Sequence, residues 1–254
     1  MMIDQKITIV TGAASGIGLS ISQEFAKDGA VVIMTDVSGD KLKEEAAKIG
    51  AVYFLTDLSR RENCQALVDF TNEKYGKTDI LINVAGIQTV SPIEDFPEDK
   101  WDFMIALMLS APFYLTKYVW PLMKEQRWGR IININSIHGL VASEYKAAYV
   151  SAKHGLMGLT KTAGLEGGPF GITVNSICPA YVKTPLVDQQ VADQARTHGI
   201  NEEDVISNIM LAKSSIKKLI EPSTIAELAK FLCSDAASGM TGSALTIDGG
   251  WTAG

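Results

Sequence analysis

Apolar residues recur along the chain in two alternating patterns. Short continuous runs at Lys6–Val10, Ala30–Thr35, Val52–Leu55, Ile80–Val84, Arg130–Ile134, Ile172–Ile177 and Ala244–Ile247 predict strands. Between them lie segments with helical spacing. These are Ile17–Asp28 with Ile17, Ile21 and Phe25, the charged Asp40–Ile49, and Arg61–Tyr75 with Leu67, Phe70 and Tyr75. Three more follow: the long Trp101–Glu125 containing Pro112 and Pro121, then Ala147–Leu165 and Thr224–Cys233. Strands that read as unbroken apolar runs and alternate with helices predict a parallel sheet covered on both faces. Right-handed crossovers then give a doubly wound, Rossmann-like α/β fold. No shift in composition divides the chain, so residues 1–254 are expected to form a single domain. One segment, 184–222, is polar and breaks the alternation with two short helical patterns. A long excursion in a compact domain is usually functional. It reads as a helical substrate lid, with a surface helical hairpin as the alternative.

Composition removes several classes. With 46% apolar and 20% charged residues the chain is not disordered. A net charge of −6 lacks the basic footprint of a nucleic-acid binder. The uncharged stretch Phe103–Leu115 contains Ser110 and Pro112 and is too short to span a bilayer. It reads as a buried helix, and no membrane partner is expected. The opening MMIDQKITIVTGAASG carries no signal-peptide pattern. Cys64, Cys178 and Cys233 form no CxxC pair, which suits reduced thiols in a cytoplasmic protein. His138, His154 and His198 have no metal-ligand spacing, so no metal is expected.

The first loop, Thr11 to Gly18, reads TGAASGIG; it follows a strand and opens a helix. Gly12, Gly16 and Gly18 allow a tight turn, close approach of the backbone to a pyrophosphate, and close helix–strand packing. The helix N-terminus favours the phosphate charge. Asp36 closes the second strand, eighteen residues after Gly18. A carboxylate there binds the adenosine ribose hydroxyls and repels a 2′-phosphate. No Arg or Lys stands at Ala14, Ser15, Val37 or Ser38 to neutralise such a phosphate. The expected cofactor is therefore NAD rather than NADP.

After the fifth strand come Ser136 and then Tyr149-Val150-Ser151-Ala152-Lys153. Tyr149 and Lys153 are i and i+4 on a helix and share a face. Ser136 follows a strand end, on the ligand-binding edge of an open α/β sheet. A tyrosine with a pKa near 10 is a poor base at neutral pH, and lowering it to about 7 takes roughly 4 kcal/mol. One positive charge at about 4 Å supplies approximately that at an effective dielectric of about 20. Lys153 can be that charge, and an oxidised nicotinamide would add to it.

Taken together, these stretches resemble the short-chain dehydrogenase/reductase family over the whole chain. The motifs are TGAASGIG at 11–18, TDLS around Asp57, NVAG at 83–86, Ser136, YVSAK at 149–153 and IDGG near the end. The resemblance implies that Ser136 orients the substrate oxygen, Tyr149 is the acid/base, and Lys153 holds the nicotinamide ribose and lowers the tyrosine pKa. It implies that Asp57 contacts adenine, that Asn83 and Gly86 line the cofactor, and that Thr184 holds the nicotinamide amide. Ser15, Ile17, Leu58, Ala85, Pro179 and Val182 complete the implied cofactor site. A homotetramer packed through helices near 101–125 and 149–168 is the usual assembly of such proteins.

The stretches GIQTVSPIEDFP, INSIHGLVASEYKAAYVSAKHG, TPLVDQQ and DGGW are most similar to the branch of bacterial D-3-hydroxybutyrate dehydrogenases. That similarity implies a substrate carboxylate held by Gln88, His138, Lys146 and Gln190. The residues themselves allow it. Lys146 lies one helical turn before Tyr149, and His138 points to the side of Ser136 if that segment is extended. A cation with hydrogen-bond donors near a hydride site suits a small anionic substrate. The expected reaction is the interconversion of (R)-3-hydroxybutyrate, or a close 3-hydroxy acid, with its 3-oxo acid. Two other readings stay open: a dehydrogenase of a neutral polyol or cyclic alcohol, and a non-catalytic NAD-binding sensor or scaffold.

The chain departs from the family pattern at four places. Val84 replaces the second asparagine of NNAG, Ala180 replaces a glycine, and Tyr181 stands where the branch tends to have tryptophan. Counted from Trp101, Met108 occupies the position of an asparagine that helps hold a helix distortion beside the catalytic lysine. Methionine cannot make that side chain's hydrogen bonds. A weakened proton relay is expected, and Met108→Asn is expected to raise kcat within the 10²–10⁴-fold typical of general acid–base assistance.

Overall fold

The computed structural model describes residues 3–254 except for the side chains at positions 193, 194, 197 and 198; Met1, Met2 and the His198 side chain lie outside the described residues. Seven strands form one parallel sheet: β1 (Ile7–Thr11), β2 (Val31–Asp36), β3 (Val52–Leu55), β4 (Ile80–Asn83), β5 (Gly129–Ile134), β6 (Ile172–Pro179) and β7 (Ala244–Ile247). Their order is β3-β2-β1-β4-β5-β6-β7, and the chain reverses its direction of travel between β1 and β4. In open α/β sheets ligands bind at such a switch point, beyond the carboxyl ends of the strands. β1, β4, β5 and β6 are buried along their length, whereas the edge strands β3 and β7 alternate. Two apolar cores follow, one on each face of the sheet.

On one face α1 (Gly16–Lys27), α2 (Gly39–Ile49) and α9 (Pro222–Leu232) bury Ile21, Phe25, Leu42, Ile225 and Ala229 against Val10, Met34 and Ile132. On the other, α3 (Arg61–Tyr75), α5 (Ala111–Gln126) and α6 (Ala147–Gly167) bury Leu67, Leu115, Val119 and Ala163 against Ile9, Leu81 and Val174. The single doubly wound domain expected from the sequence is the one observed.

The long central helix is not one continuous α-helix: it is interrupted around Met108, where the resemblance implies a distortion. It runs as α4 (Glu98–Ile105), a π-turn over Ala106–Ser110, and α5. Nor is Phe103–Leu115 buried all round. Met104, Met108 and Leu115 face inward, but Phe103 and Phe113 are 37% and 46% exposed. The span Glu98–Gln126 has the length and composition to cross a bilayer, yet its inner face packs on the sheet as a core helix. Segment 184–222 forms α7 (Pro185–His198), the short α8 (Glu202–Asp204) and a second π-turn over Val205–Met210. Val187, Val191, Val205 and Met210 give it a small core of its own, and a bridge between Val182 and Ile220 closes its base.

Candidate active site

β1 delivers the chain to the first glycine loop. Gly12 and Gly16 sit at φ +61° and +54°, where only glycine is comfortable, and a Cβ on Gly18 would collide with the Gly12 carbonyl. Ser15 precedes α1 without capping it, so its hydroxyl and the first amides of α1 stay available. Thr11 Oγ1 accepts from the Val84 and Ala85 N–H groups at 2.8 and 3.0 Å, which fixes the turn after β4 against Gly12. Thr11 was not among the expected site residues; its signal is a buried hydroxyl at a strand end before the loop. At the end of β2, Asp36 accepts from the Ala14 N–H through Oδ2 (3.1 Å) and the Ser38 N–H through Oδ1 (3.0 Å). Asp57 is held similarly by the Ser59 N–H at 2.9 Å.

Gly12, Ser15, Gly16, Gly18, Asp36, Asp57 and Ala85 line a cleft of about 320 Å³, together with Ile17, Leu58, Gly86 and Thr184. A side-chain-free cradle, an uncapped helix N-terminus and a fixed carboxylate at the far end fit a dinucleotide. Asn83 is not among the residues that line this cleft; it borders the small cavity next to it, which shares Leu58, Ala85 and Leu107, with Nδ2 donating to Asn133 Oδ1 at 2.8 Å. Buried at 4% exposure inside the sheet, it finds its nearest polar partner on the neighbouring strand.

A second cavity of about 120 Å³ adjoins the first at Ile17, Gly86, Thr184 and Leu186. The structure brings Gln88, Ser136, His138, Lys146, Tyr149, Lys153, Pro179, Val182 and Gln190 to its wall. Thr184 caps α7, and Gly16 is side-chain-free where it meets Thr184. His138 does not lie on extended chain. Ser136 Oγ accepts its N–H at 3.1 Å and starts a 3₁₀ turn, Ile137–Gly139, which still sends the ring into the cavity. Lys146 stands at the N-cap of α6 rather than inside it. Before it, Tyr145 adopts φ +63°, unusual for a non-glycine, and its carbonyl accepts the Ser91 N–H at 2.9 Å. This kink joins the loop carrying Gln88 to the start of α6.

Lys146 Nζ lies 3.4 Å from His138 Nε2. An ammonium has no lone pair, so that ring nitrogen is the acceptor. Burial and the Lys146 charge pull His138 down to about 4, and burial lowers Lys146 as well. The ring is therefore neutral at neutral pH. Lys153 Nζ lies 5.6 Å from the Tyr149 ring centroid and donates to the Ile134 carbonyl at 2.7 Å. Burial raises the Tyr149 phenol to about 12, opposed by a hydrogen bond with Ser136, and lowers Lys153 to about 8. The expected lowering of Tyr149 is thus absent without cofactor: desolvation prevails, and Lys153 is engaged with Ile134.

Two further aromatic rings come from distant chain, Tyr181 in the cavity wall and Trp251 against His138. Tyr181 lies with its ring 5.9 Å from Lys146 Nζ. Trp251 stands edge-on to His138, ring centroids 6.0 Å apart, because Asp248 accepts the Gly250 and Thr252 N–H groups and tightens the C-terminal turn. Met108 is 1% exposed within the π-turn, which forms without any asparagine. It borders a cavity of about 10 Å³ shared with Asn83 and Lys153.

The arrangement combines a dinucleotide cradle with a buried hydroxyl and ammonium and a partly buried phenol, the components of alcohol–carbonyl redox chemistry. Residues 12–252 match the family model described as enoyl-(acyl carrier protein) reductase. A D-beta-hydroxybutyrate dehydrogenase of Rhizobium meliloti (strain 1021) is 46% identical over 98% of this chain and 99% of its own. A second protein of that name, from Cupriavidus necator, is 42% identical over 99% and 100%. The crystal structure of an actinorhodin polyketide ketoreductase variant with NADPH superposes with a TM-score of 0.92 at 30% identity, covering 99% of this chain and 98% of that one. The chain belongs to the short-chain dehydrogenase/reductase family and is an oxidoreductase of small-molecule substrates.

Proposed function

We propose that the protein interconverts (R)-3-hydroxybutyrate, or a close 3-hydroxy acid, and the corresponding 3-oxo acid, with NAD as cofactor. The observation that carries this reading is the Lys146–His138 pair, buried in the wall of the cavity that also holds Tyr149. A buried cation is costly unless an anion meets it. Lys146 would supply charge to the substrate carboxylate, with Gln88, Gln190 and His138 beside it. Ser136 would orient the substrate oxygen. Tyr149, as phenolate, would take the hydroxyl proton while the C3–H bond breaks and its electron pair leaves as hydride. Bound NAD would supply the hydride acceptor, held by Asp36, Asp57, the glycine loop and Lys153. Segment 184–222, with its own small core, would serve as the lid. Phe103, Phe113 and the 81% exposed Leu165 give the outer helices an apolar face suited to a homotetramer.

A neutral polyol or cyclic alcohol would leave the Lys146 charge, which faces the neutral His138 ring, without an anion, and a non-catalytic role would leave the assembled serine, tyrosine and lysine without use. NAD reduction across 3-hydroxy acids, polyols and cyclic alcohols tests the proposal; turnover confined to neutral alcohols overturns it. Asp36→Ala is expected to narrow the preference for NAD over NADP by removing the charge that repels a 2′-phosphate. Equal kcat/KM for both cofactors in the unmodified protein would contradict this.

Met108→Asn is expected to raise kcat, by less than the sequence pattern suggested. The π-turn already exists, so the amide gains only a donor and an acceptor at the small cavity beside Lys153. Asn83 borders that cavity, and its Oδ1 has no hydrogen-bond partner among the described residues. One net hydrogen bond is worth about 0.5–1.5 kcal/mol, or about two- to tenfold in rate. The melting temperature should fall, because a smaller polar side chain enters the apolar cluster of Met104, Ala148 and Ala152. An unchanged or lower kcat would exclude a role for the side chain at this position.

A further inference from the structure

Catalysis in this fold requires groups from two separate elements to hold a common geometry. Ser136 comes from the end of β5, whereas Tyr149 and Lys153 come from α6. Between them lies Asn135, 3% exposed. Its Oδ1 accepts the Ser136 N–H at 3.0 Å, and its Nδ2 donates to the Lys153 carbonyl at 3.1 Å. Its own N–H donates to Ile177 O at 2.8 Å, which anchors it on β6. Nδ2 also faces Ser176 Oγ at 3.5 Å; that hydroxyl pairs with Thr160 Oγ1 at 2.9 Å, and Thr160 in turn accepts from Asn133.

A carboxamide offers a donor and an acceptor at once. Aspartate would lose the donor and leucine would lose both. The fold also makes room for this amide. A Cβ on Gly139 would collide with Asn135 Oδ1 and lie 2.8 Å from its Cγ and 2.9 Å from its Nδ2. Gly139 does not have the left-handed backbone that would otherwise call for glycine. Space for the amide is therefore what requires glycine at this turn.

We propose that Asn135 is a positioning residue: its buried carboxamide joins the main chain at Ser136 to the main chain at Lys153, and Gly139 is side-chain-free so that it fits. The inference rests on Ser136, Tyr149 and Lys153 being the reacting groups, and not on which alcohol is oxidised. A displacement of about 1 Å in such groups costs on the order of 10² in rate.

The test uses the full chain as Asn135→Ala, Gly139→Ala and the double variant, with Asn135→Ser as a milder change. Activity is measured on 3-hydroxybutyrate with NAD, or on whichever alcohol the unmodified protein turns over. Each alanine variant is expected to lower kcat by about 10- to 100-fold. KM for the alcohol and the dissociation constant for NADH, read by fluorescence, should change by no more than about twofold. The double variant should be no worse than Asn135→Ala alone. The pH limb of kcat for oxidation should move upward, because Ser136 no longer opposes the high pKa of Tyr149. Three results overturn the proposal: additive losses in the double variant, a fall in melting temperature with kcat and its pH limb unmoved, or full activity in Asn135→Ala. If Asn135→Ala does not fold, Gly139→Ala and Asn135→Ser give the same readouts. Full activity in Tyr149→Phe would instead remove the catalytic assignment beneath the inference.

Discussion

Tyr149→Phe is expected to lower kcat for alcohol oxidation by about 10²–10⁴, the usual contribution of a positioned acid or base. The change removes one oxygen and leaves the ring, whose edge contact with His138 (centroids 6.2 Å apart) holds the cavity wall. Dinucleotide affinity should therefore change only a few-fold. In the proposed mechanism oxidation needs the phenolate, so its rate should rise as pH approaches the phenol pKa. Carbonyl reduction needs the neutral phenol, so its rate falls above the same value. Without cofactor that pKa is about 12, because burial disfavours the charged form. The charge of Lys153 favours the phenolate, and an oxidised nicotinamide adds a second positive charge. The pH limb of kcat should thus lie below the phenol titration of the cofactor-free protein, followed by tyrosinate absorbance. More than a tenth of the original kcat in Tyr149→Phe would show that another group moves the proton.

Where local pattern and tertiary burial agree, the elements were legible in the sequence. Val52–Leu55, Arg61–Tyr75 and Ala244–Ile247 are found with the bounds their apolar spacing predicts. The glycine loop and Asp36 were legible because strand, turn and helix N-terminus are contiguous in the chain. The π-turn at Ala106–Ser110 was legible only through the resemblance, which implies a helix distortion at Met108; the apolar residues around it hide the change in turn length from the spacing itself. The turn at His138 depends on a hydroxyl-to-backbone bond that alternation cannot reveal. Trp251 meets His138 only because the sheet brings the C-terminal turn to the ends of β5 and β6, a contact no local spacing encodes. The high pKa of Tyr149 escaped the pairwise estimate for the same reason. A lysine one turn away is visible in sequence, but the burial that outweighs it is a property of the whole fold.

Lys146→Ala carries the other large expected effect, on KM rather than kcat. Lys146 is 8% exposed and lies 3.4 Å from His138 Nε2, while burial holds its pKa below the ordinary lysine value. Its affinity for a carboxylate depends on the proton it carries. KM for a 3-hydroxy acid should therefore be low below that pKa and rise as pH passes through it, at a lower pH than for an exposed lysine. Removing one partner of a charge-assisted hydrogen bond costs about 1.5–3 kcal/mol, which is roughly a 10- to 100-fold rise in KM for 3-hydroxybutyrate. Tyr149 and Ser136 keep their places, so kcat at saturation should change little. Neutral alcohols, with no charge to lose, should be turned over as before. The ester of 3-hydroxybutyrate separates charge from shape. In the unmodified protein it should be a poor substrate, and in Lys146→Ala the gap between ester and acid should close. Were the ester turned over as readily as the acid by the unmodified protein, the buried ammonium would have some role other than holding a carboxylate, and the assignment to hydroxy acids would fall with it.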